Sequence, residues 1–273
     1  MLDRGILTTT NHDIRSLYLD LLRRNLTRYG MQERMPTRWP LRRRLLLRTV
    51  NTVASIRGGS NDQRALGLDW PAEAETMIGM QRLASLQYCV ETVLAEDIPG
   101  DLIECGVWRG GACILMRAVL AAHGDKTRSV WLADSFQGVP RSDPVRYQAD
   151  KGIRAEFAAG ILGVSEAEVR SNFERYGLLD ERVRFLPGWF KDTLHDAPID
   201  RIAVLRLDGD LYESTIQALE ALYPRLSPGG FCIIDDYGAI TACEQAVADY
   251  RAQHGITADI VDIDGTGVLW RKD

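Results

Sequence analysis

"DLIECGVWRGGACILMRAVLAAHG", residues 101–124, decides how this chain folds. An apolar run ends at Glu104, a glycine-rich turn follows with Gly106, Gly110 and Gly111, and a second apolar stretch continues for three turns of helix. A strand feeding a helix through a tight turn is the first half of a βαβ unit. The alternation recurs downstream. "RSVWLADSF" (128–136), "RIAVLRLDGD" (201–210) and "GGFCIIDD" (229–236) read as strands, with a further apolar segment "VRFLPGWF" at 183–190. Helical patterns cover 165–177, 213–226 and 240–254, and the first of these opens with Ser165 three residues before Glu168, a capping box. Continuously apolar strands separated by helices indicate a parallel sheet covered on both faces. "ADIVDID" and "GVLWRK", joined through "GTG", predict an antiparallel hairpin at one edge. In such an open α/β sheet, ligands bind outside the carboxyl ends of the strands.

Upstream of this unit the chain reads as helical. Residues 11–29 carry Ile14, Leu17, Leu19, Leu21, Leu22 and Leu26 in a helical stripe. A loop with Pro36 and Pro40 follows, then a helix over 41–56 and a turn or linker at "RGGSNDQ" (57–63). Residues 1–70 therefore read as an N-terminal helical appendage, and residues 71–273 as the main domain, opening with a long helix that has Pro71 in its first turn.

Composition narrows the class. The 273 residues are 45% hydrophobic and 26% charged, with a formal net charge of -5, which suits a globular protein and argues against a nucleic-acid binder. The basic segment "TRWPLRRRLLLR" (37–48) reads as a solvated helix face, with contact to a membrane or an acidic partner as the alternative. No apolar stretch approaches the roughly 18–20 residues that span a bilayer, and the start lacks a secretory core, so no membrane partner and a cytoplasmic location are expected. Cys89, Cys105, Cys113, Cys232 and Cys243 show no CxxC spacing and read as reduced core residues.

The glycine turn is not the dinucleotide fingerprint. Gly106 to Gly110 is one residue too long, and Trp108 occupies the place of the second glycine. Asp134, at the end of the second strand, is placed to hold ribose hydroxyls. Turn and acid together indicate an adenosine-type ligand. No GxxxxGK[ST] motif is present, so a cofactor without phosphates, such as S-adenosylmethionine, suits the turn better than a P-loop nucleotide. A nicotinamide dehydrogenase and a binding protein without turnover stand as rivals.

Four carboxylates fall at strand ends: Asp208 and Asp210 in "LRLDGDLYES", Asp235 and Asp236 in "GGFCIIDDY". Asp208 and Asp235 are 27 positions apart, one strand–helix–strand repeat, so neighbouring strands would bring them to about 5 Å. Two like charges 4 Å apart cost roughly 4 kcal/mol at an effective dielectric of about 20. Raised pKa values or a bound divalent cation would relieve that, and an all-oxygen set suits Mg2+. Asp210 is the candidate general base, with a cap for the helix starting near Glu213 as its other reading.

The blocks "TMIGMQRLASLQ", "LIECGVWRGGACI", "ADSFQGVP", "PGWFKDTL", "LRLDGDLYEST" and "FCIIDDYG" resemble the macrocin O-methyltransferase family, from about Tyr18 to the C-terminus. The resemblance implies a class I methyltransferase-like (Rossmann-like), mostly parallel seven-stranded sheet. It also implies methylation of a sugar hydroxyl on a glycosylated natural product, in antibiotic biosynthesis, with S-adenosylmethionine and Mg2+. By resemblance, Glu104 and the Gly106, Gly110, Gly111 turn hold the methionine end of the cofactor, and Asp134, Ser135 and Phe136 its ribose and adenine. Thr76 and Met77 lie near the transferred methyl, and Gly188 and Trp189 beside the adenine, although Trp189 also reads as a core plug. Asp208, Asp235 and Asp236 are the implied metal ligands, and Asp210 matches the family's base. The N-terminal helices and 140–165 would form a lid over the small-molecule acceptor, and a homodimer or larger assembly is implied. A catechol-type phenolic methyltransferase would use the same metal chemistry and is the nearest rival.

Overall fold

The structure, a computed structural model, describes residues 13–31, 33, 40–55, 60–153 and 161–273. Outside them lie the chain start, most of the proline-bearing loop with residues 37–39 of the basic segment, positions 57–59 of the expected linker, and 154–160 of the expected lid.

Seven strands form one sheet in the order β3-β2-β1-β4-β5-β7-β6. β1 (Asp101–Cys105), β2 (Val130–Asp134), β3 (Val183–Pro187), β4 (Ile202–Leu207) and β5 (Leu226–Ile234) run parallel. β6 (Val261–Asp262) and β7 (Val268–Arg271) form the expected antiparallel hairpin, with β7 paired against β5. β4 is buried at every position, as befits a central strand that is apolar except at Arg206. The strand order reverses between β1 and β4, the switch point at which ligands bind in this class of sheet.

Described helices pack on both faces. α4 (Gly79–Ala95) and α5 (Gly111–Ala122) lie with α1 (Ile14–Thr27) on one side, where α5 is apolar nearly all round and buried from Gly111 to Leu120. α8 (Tyr212–Leu222) and α9 (Thr241–Gln253) share the other core cluster. α6 (Glu166–Arg175) takes the predicted cap, with Ser165 Oγ accepting from the Glu168 N–H at 3.3 Å. α2 (Leu41–Ser55) lies near α3 (Ser60–Leu66), and in the basic segment Arg42 and Arg48 are exposed while Arg44 is half-buried. The five cysteines are free and buried. Among the described residues, no helix is long and apolar enough to cross a membrane.

Three expectations change. Residues 60–63 belong to α3, not to a turn. The helix expected from Pro71 begins at Gly79, because the backbone N–H groups ahead of it are bonded elsewhere. Those of Ala72, Glu73 and Ala74 donate to the Glu33 carboxylate, and those of Glu75 and Thr76 to the Leu26 carbonyl. Finally, α1 is not set apart from the main domain. Leu19, Leu22 and Leu26 join the same core as α4 and α5, so the packing draws no line at residue 70. At the other end, the 183–190 segment stops being strand at Pro187, and Phe190 opens the short helix α7 (Phe190–Thr193).

Candidate active site

A cavity of about 600 Å³ opens at the carboxyl ends of β1 and β4, a size suited to a small-molecule site. The sheet ladder runs on past the strands to align its floor. The Gly106 N–H donates to the Ala133 carbonyl at 2.8 Å, Asp208 to Cys105 at 2.9 Å, and Asp235 to Leu207 at 2.9 Å. Gly106 has φ +87, and a Cβ there would lie 1.8 Å from the Asp208 carbonyl oxygen, so only glycine lets the β1 turn pass the end of β4. Gly110 and Gly111 do not line the cavity. A Cβ on Gly110 would meet Val169 at 2.8 Å and one on Gly111 the Glu75 carbonyl at 2.6 Å, so packing against α6 and the 71–78 segment sets their size.

Thr76, Met77, Glu104, Gly106, Asp134, Ser135, Gly188 and Trp189 share the cavity wall with Asp208, Asp210, Asp235 and Asp236. Phe136 is not among the lining residues and packs on Phe185, with ring centroids 6.1 Å apart. Asp134 accepts from the Val107 and Phe136 N–H groups, both at 2.7 Å, and so ties the glycine turn to the end of β2. Burial raises its pKa, against these bonds. The Gly188 N–H donates to the Asp134 carbonyl at 2.9 Å, which brings Trp189 to the same end of the cavity.

At the other end the acids converge. One carboxylate oxygen from each of Asp208, Asp235 and Asp236 lies within 4.8 Å of the others. Adjacent β4 and β5 deliver Asp208 and Asp235, as the 27-residue spacing predicts. Asp210 joins them because Gly209 and its own left-handed backbone, φ 57, turn the chain after Asp208. Its N–H donates to Asp236 Oδ2 at 3.2 Å. Its reading as a helix cap falls away, because Asp150 caps α8 instead, accepting from the Tyr212 and Glu213 N–H groups at 2.7 and 3.1 Å. Asp236 makes no side-chain cap for α9. Burial and then neighbouring acids push the carboxyls of Asp208 and Asp236 well above the usual range. Burial, with Asp235 beside it, pushes Asp210 up to about 6.

Two guanidiniums stand among these acids, and sequence reasoning did not place either of them there. Arg206 on β4 is ion-paired with Glu104, with Asp208 at 3.0 Å, and with Asp235. Arg82 on α4 is paired with Asp235, and with Asp264 of the β6–β7 hairpin at 3.0 Å. Glu104, whose other oxygen accepts from Cys113 Sγ at 2.8 Å, is raised by burial and held down by Arg206. Arg206 had a signal: it interrupts an apolar strand, and a buried charge requires a partner. Arg82 had a fainter one, lying on the buried helical stripe with Ile78, Leu86 and Val93.

The donor chemistry suits a hard divalent ion. Two guanidiniums are paired with Glu104, Asp208, Asp235 and Asp264. Asp210 and Asp236 join the same cluster with no arginine pairing among the described residues, an excess of acids over cations.

Comparison with known proteins agrees with this fold. The chain is 56% identical, over 95% of its length and 94% of the relative's, to an 8-demethyl-8-(2,3-dimethoxy-alpha-L-rhamnosyl)-tetracenomycin-C 4'-O-methyltransferase of Streptomyces olivaceus. It is 48% identical, over 94% of its length and 96% of the relative's, to a mycinamicin III 3''-O-methyltransferase of Micromonospora griseorubida. The solved structure of the O-methyltransferase NovP superposes with a TM-score of 0.83 at 47% identity, covering 94% of this chain and 99% of that one. The family model "Macrocin-O-methyltransferase (TylF)" matches residues 15–272. The chain, with its class I methyltransferase-like sheet and its acids gathered at the switch point, belongs to the macrocin O-methyltransferase family.

Proposed function

We propose that the chain moves a methyl group from S-adenosylmethionine to a sugar hydroxyl of a glycosylated natural product, with Mg2+ as its metal. One observation carries the reading: Asp208, Asp235 and Asp236 converge in the same cavity whose wall Glu104, Gly106 and Asp134 also line. Cofactor and acceptor can thus meet in one pocket. The relative named for a rhamnosyl tetracenomycin favours a sugar over a phenol as acceptor.

When bound, S-adenosylmethionine supplies an activated methyl on sulfur, and Mg2+ a Lewis acid that acidifies the acceptor hydroxyl. The rest falls to the protein. Glu104 and the Gly106 turn orient the methionine end, Asp134 and Ser135 the ribose, and Trp189 the adenine. Asp208, Asp235 and Asp236 hold the metal. Asp210 takes the hydroxyl proton, for which a carboxyl pushed up to about 6 is a better base than an ordinary aspartate. Alignment of oxygen, carbon and sulfur and exclusion of water supply most of the rate. Leu68 and Trp70, beyond α3, and Pro140 and Arg141 close the acceptor side of the cavity and serve as its lid. A cytoplasmic location and a homodimer or larger assembly complete the reading, and the buried free thiols support a reducing compartment.

The test is incubation with methyl-labelled S-adenosylmethionine and a panel of rhamnosides, macrolide glycosides and catechols, with products read by mass spectrometry. Label on a sugar oxygen, lost with EDTA and restored by Mg2+, is expected. Label on a catechol, or transfer indifferent to EDTA, would overturn the reading.

A further inference from the structure

Asp235 is already engaged by the protein's own cations. Arg206 Nη2 donates to its Oδ1 and Arg82 Nη1 to its Oδ2, so a lone pair on each oxygen is taken. Both arginines are buried, at 1% and 6% exposure, and neither gives up its proton in a protein. Each is anchored from a second side. Arg206 is held by Glu104 of β1 and by Asp208. Arg82 is held by Asp264, and by the Leu66 and Gly67 carbonyls at 3.3 and 3.4 Å. Two fixed positive charges therefore sit against the place where the three metal-ligand candidates converge.

We propose that Arg82 and Arg206 are resident counter-ions of the acid cluster, which hold Asp235 in place and keep the site's affinity for a divalent cation low. This rests on the magnesium reading above. Where water is excluded, a guanidinium beside the ion opposes its binding directly. With both Asp235 oxygens engaged, chelation through the two together is disfavoured. That handicaps Ca2+, which takes bidentate carboxylates, more than Mg2+, which binds few carboxylates and keeps room for water and substrate oxygens. A loosely held ion also leaves readily with its product.

Arg206 is built into the sheet, whereas Arg82 reaches in from α4, so Arg82 is the residue to change. Isothermal titration of Mg2+ and Ca2+ into cofactor-free protein compares the unaltered chain with Arg82→Lys and Arg82→Met. Arg82→Met is expected to bind Mg2+ at least ten-fold tighter and to gain more for Ca2+ than for Mg2+, with Arg82→Lys within three-fold of the original. The direction discriminates, because a merely structural role for Arg82 would disorder the ligands and weaken binding. Equal or weaker Mg2+ binding by Arg82→Met, with binding to the unaltered chain intact, overturns the inference and leaves the magnesium reading standing. No Mg2+ binding by any of the three overturns both. Should Arg82→Met not fold, Asp264→Asn decides: it leaves the Arg82 charge undivided on Asp235, so Mg2+ should bind at least three-fold more weakly, and unchanged or tighter binding is the contrary result.

Discussion

Asp210 owes its place to a backbone that turns left-handed at φ 57, a conformation that costs an aspartate on the order of 1 kcal/mol. The turn brings a fourth carboxylate beside Asp208, Asp235 and Asp236, and burial, with Asp235 next to it, pushes its pKa up to about 6. Asp210→Asn keeps the shape and removes the base. Methyl transfer should fall about 10²- to 10⁴-fold while S-adenosylhomocysteine affinity, read by calorimetry, changes less than about two-fold. Equal loss of both would assign the residue to the cofactor or to folding. Burial of these acids, together with their crowding, gives the protein a pH signature. An unfolded aspartate ionises near 3.8, whereas the pKa of folded Asp210 is pushed up to about 6, and Asp208 and Asp236 are raised as well. The folded state therefore binds more protons, and without divalent ion its stability falls as pH rises from 4 through 6. Melting curves in EDTA across that range should show the decline, and saturating Mg2+ should reverse it more strongly at pH 8 than at pH 5. All four acids were legible in the sequence from their strand-end positions. Their cationic partners were not, because Arg206 and Arg82 meet Asp235 only once β4, β5 and α4 are assembled.

The βα unit at 101–124 is legible because each local choice agrees: apolar run, glycine turn, apolar helix. The start of α4 is not. Its upstream residues have helical composition, but Glu33, forty residues away in sequence, takes their N–H groups. Nor is the cap of α8 legible, because Asp150 reaches it from a different loop. Asp150→Ala should cost about 1 kcal/mol, the usual loss for a helix cap, measurable by urea unfolding. Because α8 begins two residues after Asp210, the variant should also raise the acceptor KM. Unchanged stability would mean that Asp150 is not the cap.

For the whole molecule, the sheet order and edge hairpin follow from alternation and turn chemistry, and they fix where the cavity must lie. Assigning α1 to an appendage missed the core, because its stripe of leucines says that a face is buried without saying against what. Ligands that bind only the folded state should stabilise all of it together. S-adenosylhomocysteine at 100 times its Kd is worth about 2.7 kcal/mol, so a clear rise in melting temperature is expected with it and none with NAD. The most direct measurement is anomalous diffraction from crystals soaked in Mn2+ as a stand-in for Mg2+. A single peak within coordination distance of Asp208, Asp235 and Asp236, beside the cofactor cavity, is the predicted result. A fully soaked crystal with no peak there, the acids still closed on Arg82 and Arg206, would contradict the account.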